Sequence, residues 1–222
     1  MEETVVVIIV AAGKGARFGK EKQFVSIKRK PIYYYSIERF SKIKEVKEIV
    51  LVVSKNKIKS CEKYINSKKL KKEIKIVKGG KNRTESVKEG LKNMLFSSLI
   101  LIHDGVRPFI GKFLIKKIIE GTKKFGACIP AIKITDTLKI AEEGFVKKTL
   151  PRQNVLKVQT PQGFRKDIIL KAYNLYDDDF LDDSSVVESI GRKVKIISGE
   201  VTNFKITFPE DYQLAKKIVR DF

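Results

Sequence analysis

The chain begins with a run of apolar, mostly β-branched residues from Thr4 to Val10. An unbroken run of that length reads as a strand buried on both faces, as in a parallel sheet. Four similar runs follow, at Glu48 to Ser54, Ile74 to Val77, Leu99 to Ile102 and Ala127 to Ile132. Between them the period becomes helical. Pro31 to Phe40 carries proline in its first turn, Glu85 to Leu95 aligns Val87, Leu91, Met94 and Leu95, and Phe113 to Gly121 repeats Leu114/Ile115 and Ile118/Ile119. Strands alternating with helices predict βαβ crossovers and an α/β fold with a doubly wound, mostly parallel, Rossmann-like sheet. Ligands in such sheets sit beyond the carboxyl ends of the strands. Three segments of unusual composition lie there: 11–22, 79–86 and 103–108.

From Lys133 to Gln153 the rhythm breaks. Ile132, Ile134, Leu138 and Ile140 loosely alternate with polar residues, as do Phe145 and Val146, with Glu143-Gly144 between them. That pattern predicts a protruding β-hairpin arm at about 133–153 with one apolar face. An isolated hairpin is marginal in water, so the arm needs cover from its own domain or a second subunit. Val155 to Gln159 returns to the sheet. Asp167 to Leu175 and Asp183 to Ile190 read as helices, and Val194 to Ile197 as a strand. Thr207 to Glu210 resembles a capping box ahead of the stripe Leu214, Ala215, Ile218 and Val219. With no repeat and no linker, residues 1–222 form one domain with an arm.

Composition adds a charge question. In 222 residues there are 47 Lys+Arg against 26 Asp+Glu, a formal net charge of +21. The apolar share of 42% supports a sizeable core, which excludes wholesale disorder. The excess is compatible with nucleic acid, a membrane surface or an anionic substrate. Most of it is lysine spread along the whole chain, whereas readers of nucleic acid lean on arginine. A lysine-rich proteome explains the bulk, and an enzyme for anionic substrates is consistent with it. Cys61 and Cys128 are far apart and belong to no zinc or disulfide pattern. The Met1-Glu2-Glu3 start is unlike a secretory signal, and no run approaches the roughly 20 apolar residues of a membrane helix. The expectation is a cytoplasmic protein that binds neither membrane nor nucleic acid.

The first loop runs Ala11-Ala12-Gly13-Lys14-Gly15-Ala16-Arg17-Phe18-Gly19-Lys20-Glu21-Lys22-Gln23. Small residues let backbone N–H groups approach phosphate oxygens, and four cations accompany them. It matches neither a Walker loop, since Glu21 follows Gly19-Lys20, nor a dinucleotide fingerprint, since Phe18 stands at the third glycine. An ordinary glycine-rich turn is the bland alternative. In His103-Asp104-Gly105-Val106-Arg107-Pro108, Asp104 suits a metal or a ribose hydroxyl, while Arg107 could be its structural partner. His103, the sole histidine, is either a satisfied structural group or a general base.

Together, A-A-G-x-G-x-R, K-Q, G-G-x-x-R-x-x-S-V, H-D-x-x-R-P, D-T, T-P-Q-x-F and K-[IV]-T-x-P-E-D occur in one order from Val5 to about Lys217. The series resembles the 2-C-methyl-D-erythritol 4-phosphate cytidylyltransferases, nucleotidyltransferases of the non-mevalonate isoprenoid pathway. The resemblance implies a doubly wound α/β fold whose β-arm locks a homodimer. It implies joining of CTP and the polyol phosphate with release of pyrophosphate, aided by Mg²⁺ or another divalent cation. By matched position it makes Arg17, Lys22 and Lys205 catalytic cations, and Ala11, Ala12, Gly13, Gly15, Gly80, Ser86 and Asp104 the CTP site, with Asp104 a possible metal ligand. Thr137, Arg152 and Thr160 become acceptor contacts, the first two reaching a partner subunit. β-Arm packing is the plain alternative for Thr137 and Thr160.

Three departures from the family pattern matter. Glu21 stands where the family has proline, which makes Lys20 a rival to Lys22. Leu181-Asp182 replaces Thr-Asp, leaving Asp182 as polyol ligand or simple helix cap. Lys81 stands where an acidic residue can occur. Asp177-Asp178-Asp179 reads as a solvated loop rather than a metal site. The alternative acceptor is that of the sister ribitol-5-phosphate cytidylyltransferases, and a basic nucleic-acid-binding protein is the distant alternative.

Overall fold

A computed structural model describes residues 4–95, 97–176 and 179–219. The strands are β1 (Val5–Ala11), β2 (Ser26–Ile27), β3 (Lys30–Pro31), β4 (Val46–Val53), β5 (Glu73–Lys78), β6 (Leu99–Asp104), β7 (Ala127–Lys133), β8 (Leu138–Glu142), β9 (Phe145–Leu150), β10 (Leu156–Val158), β11 (Gln162–Arg165) and β12 (Lys195–Ser198). The helices are α1 (Ile32–Ser41), α2 (Ile58–Asn66), α3 (Arg83–Asn93), α4 (Lys112–Phe125), α5 (Lys166–Leu175), α6 (Asp183–Ser189) and α7 (Pro209–Ile218).

Strand order in the main sheet is β10-β7-β11-β6-β1-β4-β5, with β12 also paired to β7. β1 runs parallel to β4 and β6, and β4 parallel to β5. Alternate residues of β1 explain why its apolar run is unbroken. Val5, Val7 and Ile9 pack on one face with Ile37 and Phe40 of α1, Cys61 of α2 and Leu114 and Ile118 of α4. Val6 and Ile8 pack on the other with Val87 of α3, Ile169 of α5 and Val187 of α6. Both faces are dry, as the composition of the strand requires. Each such side chain contributes roughly 1.5–3 kcal/mol by burial. The sequence expectation of a doubly wound, mostly parallel α/β sheet holds.

The short strands β2 and β3, β11 and α2 escape the sequence pattern. β11 inserts antiparallel between β6 and β7, carried by only Gln162-Gly163-Phe164-Arg165. Gly163 is required there, because a Cβ would press on Leu101 and Ile118 of the neighbouring elements. α2 has its apolar residues at short, lysine-interrupted intervals. Boundaries also move. α3 begins at Arg83, two residues before the expected start, because the Asn82 side chain accepts from the Glu85 backbone N–H at 2.8 Å. α4 continues past Gly121 until Gly126, whose φ of 82° ends it. At α7 the capping carboxylate belongs to Asp211, which accepts from the N–H groups of Thr207 and Phe208 at 2.8 Å each. Thr207 to Glu210 is therefore not the box.

The arm forms as β8 and β9, joined at Glu143 (φ 51°) and Gly144 (φ 86°), a two-residue turn with both central residues left-handed. Phe145 and Val146 are 80% and 65% exposed, so nothing among the described residues covers the arm's apolar side chains. A third, smaller cluster (Ile27, Ile32, Tyr35, Val106, Phe109, Ile206, Ala215) fixes α7 and the segment before it against the loop after β6. That packing brings Lys205 to the strand ends.

Candidate active site

Beyond the carboxyl ends of β1, β4, β5 and β6 lies a cleft of about 760 Å³. Its lining includes Ala11, Ala12, Gly13, Gly15, Arg17 and Lys22 from the first loop, Gly80 and Ser86 from the second, and Asp104 and Lys205. Residues scattered over nearly 200 positions thus line one cleft. The first loop is tied down internally. The Gln23 side-chain amide donates to the carbonyls of Ala11 (2.9 Å) and Gly13 (2.7 Å). Gly15 holds φ at 69°, and a Cβ there would collide with the Lys20 carbonyl oxygen. This is a specific need for glycine at the tightest point of the loop.

Among the loop cations, Lys22 faces the cleft at 7% exposure, and its Nζ donates to the Thr207 carbonyl at 3.2 Å. Burial, with Lys205 and Arg17 nearby, pulls its pKa below the ordinary lysine value. Of the two rival lysines, Lys22 lines the cleft and Lys20, which is exposed, does not; Lys14 is a further loop lysine in the lining. Arg17 lies over the Phe208 ring at 5.9 Å and projects into the cleft. In the second loop the buried Ser86 hydroxyl accepts from Gly80 N–H at 3.2 Å and donates to the Asn82 carbonyl at 2.8 Å. It holds the Gly79-Gly80 turn in place. Lys81 lines the same wall, its backbone N–H fixed by Glu85 at 2.8 Å.

Asp104 is the electrostatic hub. Its Oδ2 meets Lys205 Nζ at 3.1 Å and Arg107 Nε at 3.2 Å, and its Oδ1 lies 3.7 Å from Arg83 Nε. Burial alone would raise the carboxyl pKa, but Lys205, Arg83 and Arg107 outweigh it and hold the group ionised well below the usual carboxylate range. Arg107 also donates to the Asn203 carbonyl at 3.0 Å, so it is the structural partner the motif allowed. His103 resolves on its structural side. It is fully buried, with Nε2 3.1 Å from the Arg107 carbonyl and Nδ1 3.1 Å from Thr160 Oγ1. Because the Arg107 carbonyl can only accept, the network assigns the ring proton to Nε2, and Thr160 Oγ1, which accepts from Asp104 N–H at 3.0 Å, donates to Nδ1. Burial pushes the imidazole pKa down to about 4, which keeps it neutral.

A second cleft of about 260 Å³ adjoins the first, lined by Thr160, Gln162, Leu181 and Asp182 together with Arg83, Asp104 and Lys205. The last three wall both clefts. Asp182 caps α6 by accepting from Ser185 N–H at 2.9 Å, and it also accepts from Gln162 Nε2 at 2.7 Å. Leu181 is 96% exposed at the mouth. Thr137 and Arg152 sit on the exposed arm, outside both linings, with Arg152 donating to the Thr135 carbonyl. Asp177 and Asp178 lie outside the described residues; Asp179 accepts from Thr84 at 3.3 Å.

Sequence reasoning missed Arg83, which spans both walls, and the scaffold role of Gln23, Asn203 and Gln162. The signal for Arg83 was its place in G-G-x-x-R, one residue after the helix cap Asn82. No group of three or more His, Cys, Asp or Glu side chains among the described residues forms a metal cage. Asp104 is the carboxylate common to the linings of both clefts.

The family model for IspD, 2-C-methyl-D-erythritol 4-phosphate cytidylyltransferase, matches residues 5–221. A protein of that name from Clostridium novyi is 43% identical over 221 residues, covering 96% of each chain. Its counterpart from Clostridium tetani is 42% identical, covering 97% of this chain and 90% of that one. The solved 4-diphosphocytidyl-2C-methyl-D-erythritol synthase from Anaerococcus prevotii superposes with a TM-score of 0.86 at 33% identity, covering 99% of this chain and all of that one.

Proposed function

Because this chain belongs to the 2-C-methyl-D-erythritol 4-phosphate cytidylyltransferase family, we propose that its two clefts hold the two substrates of that reaction side by side. CTP takes the larger cleft and the acceptor phosphate the smaller. An acceptor phosphate oxygen attacks the α-phosphorus of CTP in line, the bond to the leaving pyrophosphate breaks, and 4-diphosphocytidyl-2-C-methyl-D-erythritol forms. The observation that carries this assignment is the shared wall of Arg83, Asp104 and Lys205. Two polyanions that must react need adjacent sites and positive charge at their junction.

The phosphomonoester is already a competent nucleophile, so no side chain has to supply one. The difficulty is electrostatic, and preorganised cations answer it. Arg17, Lys22 and Lys205 are the groups we assign to the α-phosphate and the departing pyrophosphate. Backbone of Ala11, Ala12, Gly13 and Gly15 meets the triphosphate and ribose, and the Gly80–Ser86 segment reads the base. Mg²⁺, held by Asp104 and phosphate oxygens, would supply further charge neutralisation.

Thr160 and Asp182 are assigned to the acceptor, Asp182 as a polyol ligand in addition to its cap. We assign Thr137 and Arg152 to the acceptor site of a second subunit in a homodimer. The uncovered apolar residues Ile140, Phe145 and Val146 support a partner on the arm. No helix among the described residues is long and apolar enough to cross a membrane. The two unpaired, buried cysteines suit a reducing cytoplasm. Pyrophosphate release measured with CTP and each of two acceptors tests the reading. Turnover with methylerythritol 4-phosphate is expected; turnover with ribitol 5-phosphate alone would overturn it.

A further inference from the structure

We propose that Glu21 is a positioning residue whose carboxylate clamps the exit of the nucleotide loop and so aims Lys22 into the cleft. Its Oε1 accepts from Ser54 Oγ at 2.9 Å, and its Oε2 pairs with Lys57 Nζ at 3.1 Å. Ser54 and Lys57 belong to the turn that follows β4, a different element from the loop itself. Lys57 also lies over the Phe24 ring at 5.1 Å. It thus grips the residues on either side of Lys22 and Gln23, bracing the short 3-10 turn Lys22–Phe24 from outside.

The clamp reaches further than one residue. Gly15 packs directly on the backbone of Lys20 and Glu21, so the entry and exit of the loop touch. Gln23 secures the entry to Ala11 and Gly13. Lys22 Nζ ties the exit to the Thr207 carbonyl, and Glu21 ties it separately to the turn after β4. The carboxylate also lines the cleft meant for a triphosphate. Unmatched, it would repel the ligand; Lys57 neutralises it and Ser54 draws it aside.

The backbone at Glu21 has φ −68°, the angle a proline ring fixes. Proline therefore offers a second, chemically unrelated way to hold the same exit. This separates a positioning role from any direct contact of the carboxylate with substrate.

The inference rests on CTP occupying this cleft, and its test has one arm that does not. Glu21→Ala, Glu21→Pro, Lys57→Ala and the Glu21→Ala/Lys57→Ala double variant are compared in steady-state kinetics and in amide hydrogen exchange over residues 13–22. Glu21→Ala is expected to lower kcat/KM for CTP about 3- to 10-fold, leave KM for the acceptor unchanged and speed exchange in the loop. Glu21→Pro should recover to within about twofold of the parent. Lys57→Ala should lose more than the double variant, because it leaves the carboxylate bare. A Glu21→Ala protein with parental kinetics and exchange, or a proline variant as impaired as the alanine one, overturns the clamp. A parent that turns over neither acceptor overturns the functional reading instead, and the exchange comparison still decides the clamp.

Discussion

Arg83 and Asp183 stand 100 residues apart in sequence and meet through two parallel hydrogen bonds, Nη1 to Oδ1 at 3.0 Å and Nη2 to Oδ2 at 2.6 Å. The Tyr173 hydroxyl adds a third bond to Oδ1 at 2.6 Å. Arg83 is the first residue of α3 and Asp183 the first of α6. The pair therefore joins the helix that follows the Gly79-Gly80 turn to the helix that Asp182 caps. Asp183 is fully buried, so Asp183→Asn removes the nearer counter-charge of the guanidinium and leaves only Asp104, at 3.7 Å. Such a loss destabilises by roughly 3–5 kcal/mol, whereas Tyr173→Phe removes one charge-assisted bond worth about 1.5–3 kcal/mol. Urea unfolding of both variants measures this. A Asp183→Asn protein as stable as the parent would show that the pair does not hold the two helices.

At the hub, Lys205→Ala removes the cation nearest Asp104 Oδ2 from the wall of both clefts. One lost transition-state cation lowers turnover on the order of 10²–10³-fold. Asp104→Asn is expected to lower it too, since it leaves Arg83, Arg107 and Lys205 facing one another without their anion. Because the residues touch, the double variant should fall short of the product of the single effects. Single-turnover rates at saturating CTP give the comparison. Multiplicative losses would mean the two groups act separately.

Those relationships mark where the sequence was readable and where it was not. β1 and β4 are legible because both faces of each strand must be apolar, and a seven-residue run such as Val5–Ala11 leaves no other reading. The loops at the strand ends are legible because glycine and cations mark them. β11 is not, since Gln162 and Gly163 are chosen for the neighbours they meet in the sheet rather than for a local period. Arg83 and Asp183 are hidden for the same reason. Arg83 stands in G-G-x-x-R, but neither that motif nor anything near Asp183 shows that the two residues pair. His103 shows the opposite hazard, a residue whose chemistry invites a catalytic role that its burial removes.

His103 nevertheless sets a pH dependence. Its folded pKa of about 4 lies below the unfolded value of about 6.5. The unfolded chain therefore binds the proton first as pH falls. The stability that rests on neutral His103 is complete above about 6.5, declines between there and about 4, and changes no further below. The span is on the order of 3 kcal/mol. His103→Asn, which can still donate toward the Arg107 carbonyl, should flatten the stability profile in that window. A parent and variant with parallel profiles from pH 6.5 to 4.5 would contradict the assignment.

The arm makes a prediction about sharing. With Arg17 in the large cleft and Arg152 on the exposed hairpin, a homodimer would draw one from each subunit. Arg17→Ala and Arg152→Ala proteins, each inactive alone, should regain up to about a quarter of parental activity when mixed and allowed to exchange subunits. Placing aspartate at Phe145, which is 80% exposed, should shift the protein to monomer in sedimentation and lower activity with it. Absence of rescue alongside a stable monomer would make each site self-contained.

The position of Lys22 gives the sharpest kinetic contrast. Lys22 lines the cleft at 7% exposure, while Lys20, two residues away, is exposed and outside it. Lys22→Ala should lose on the order of 10²–10³-fold in turnover, and Lys20→Ala no more than about threefold. The same geometry predicts an alkaline limb. Burial together with Lys205 and Arg17 lowers the Lys22 pKa, so in the free enzyme its charge is lost at a pH below that of an ordinary lysine. A bound triphosphate restores the counter-charge and moves that loss upward. The profile of kcat/KM for CTP, which reports the free enzyme, should therefore fall at lower pH than the profile of kcat. Coincident alkaline limbs, or a Lys20→Ala variant more damaged than Lys22→Ala, would return the role to Lys20.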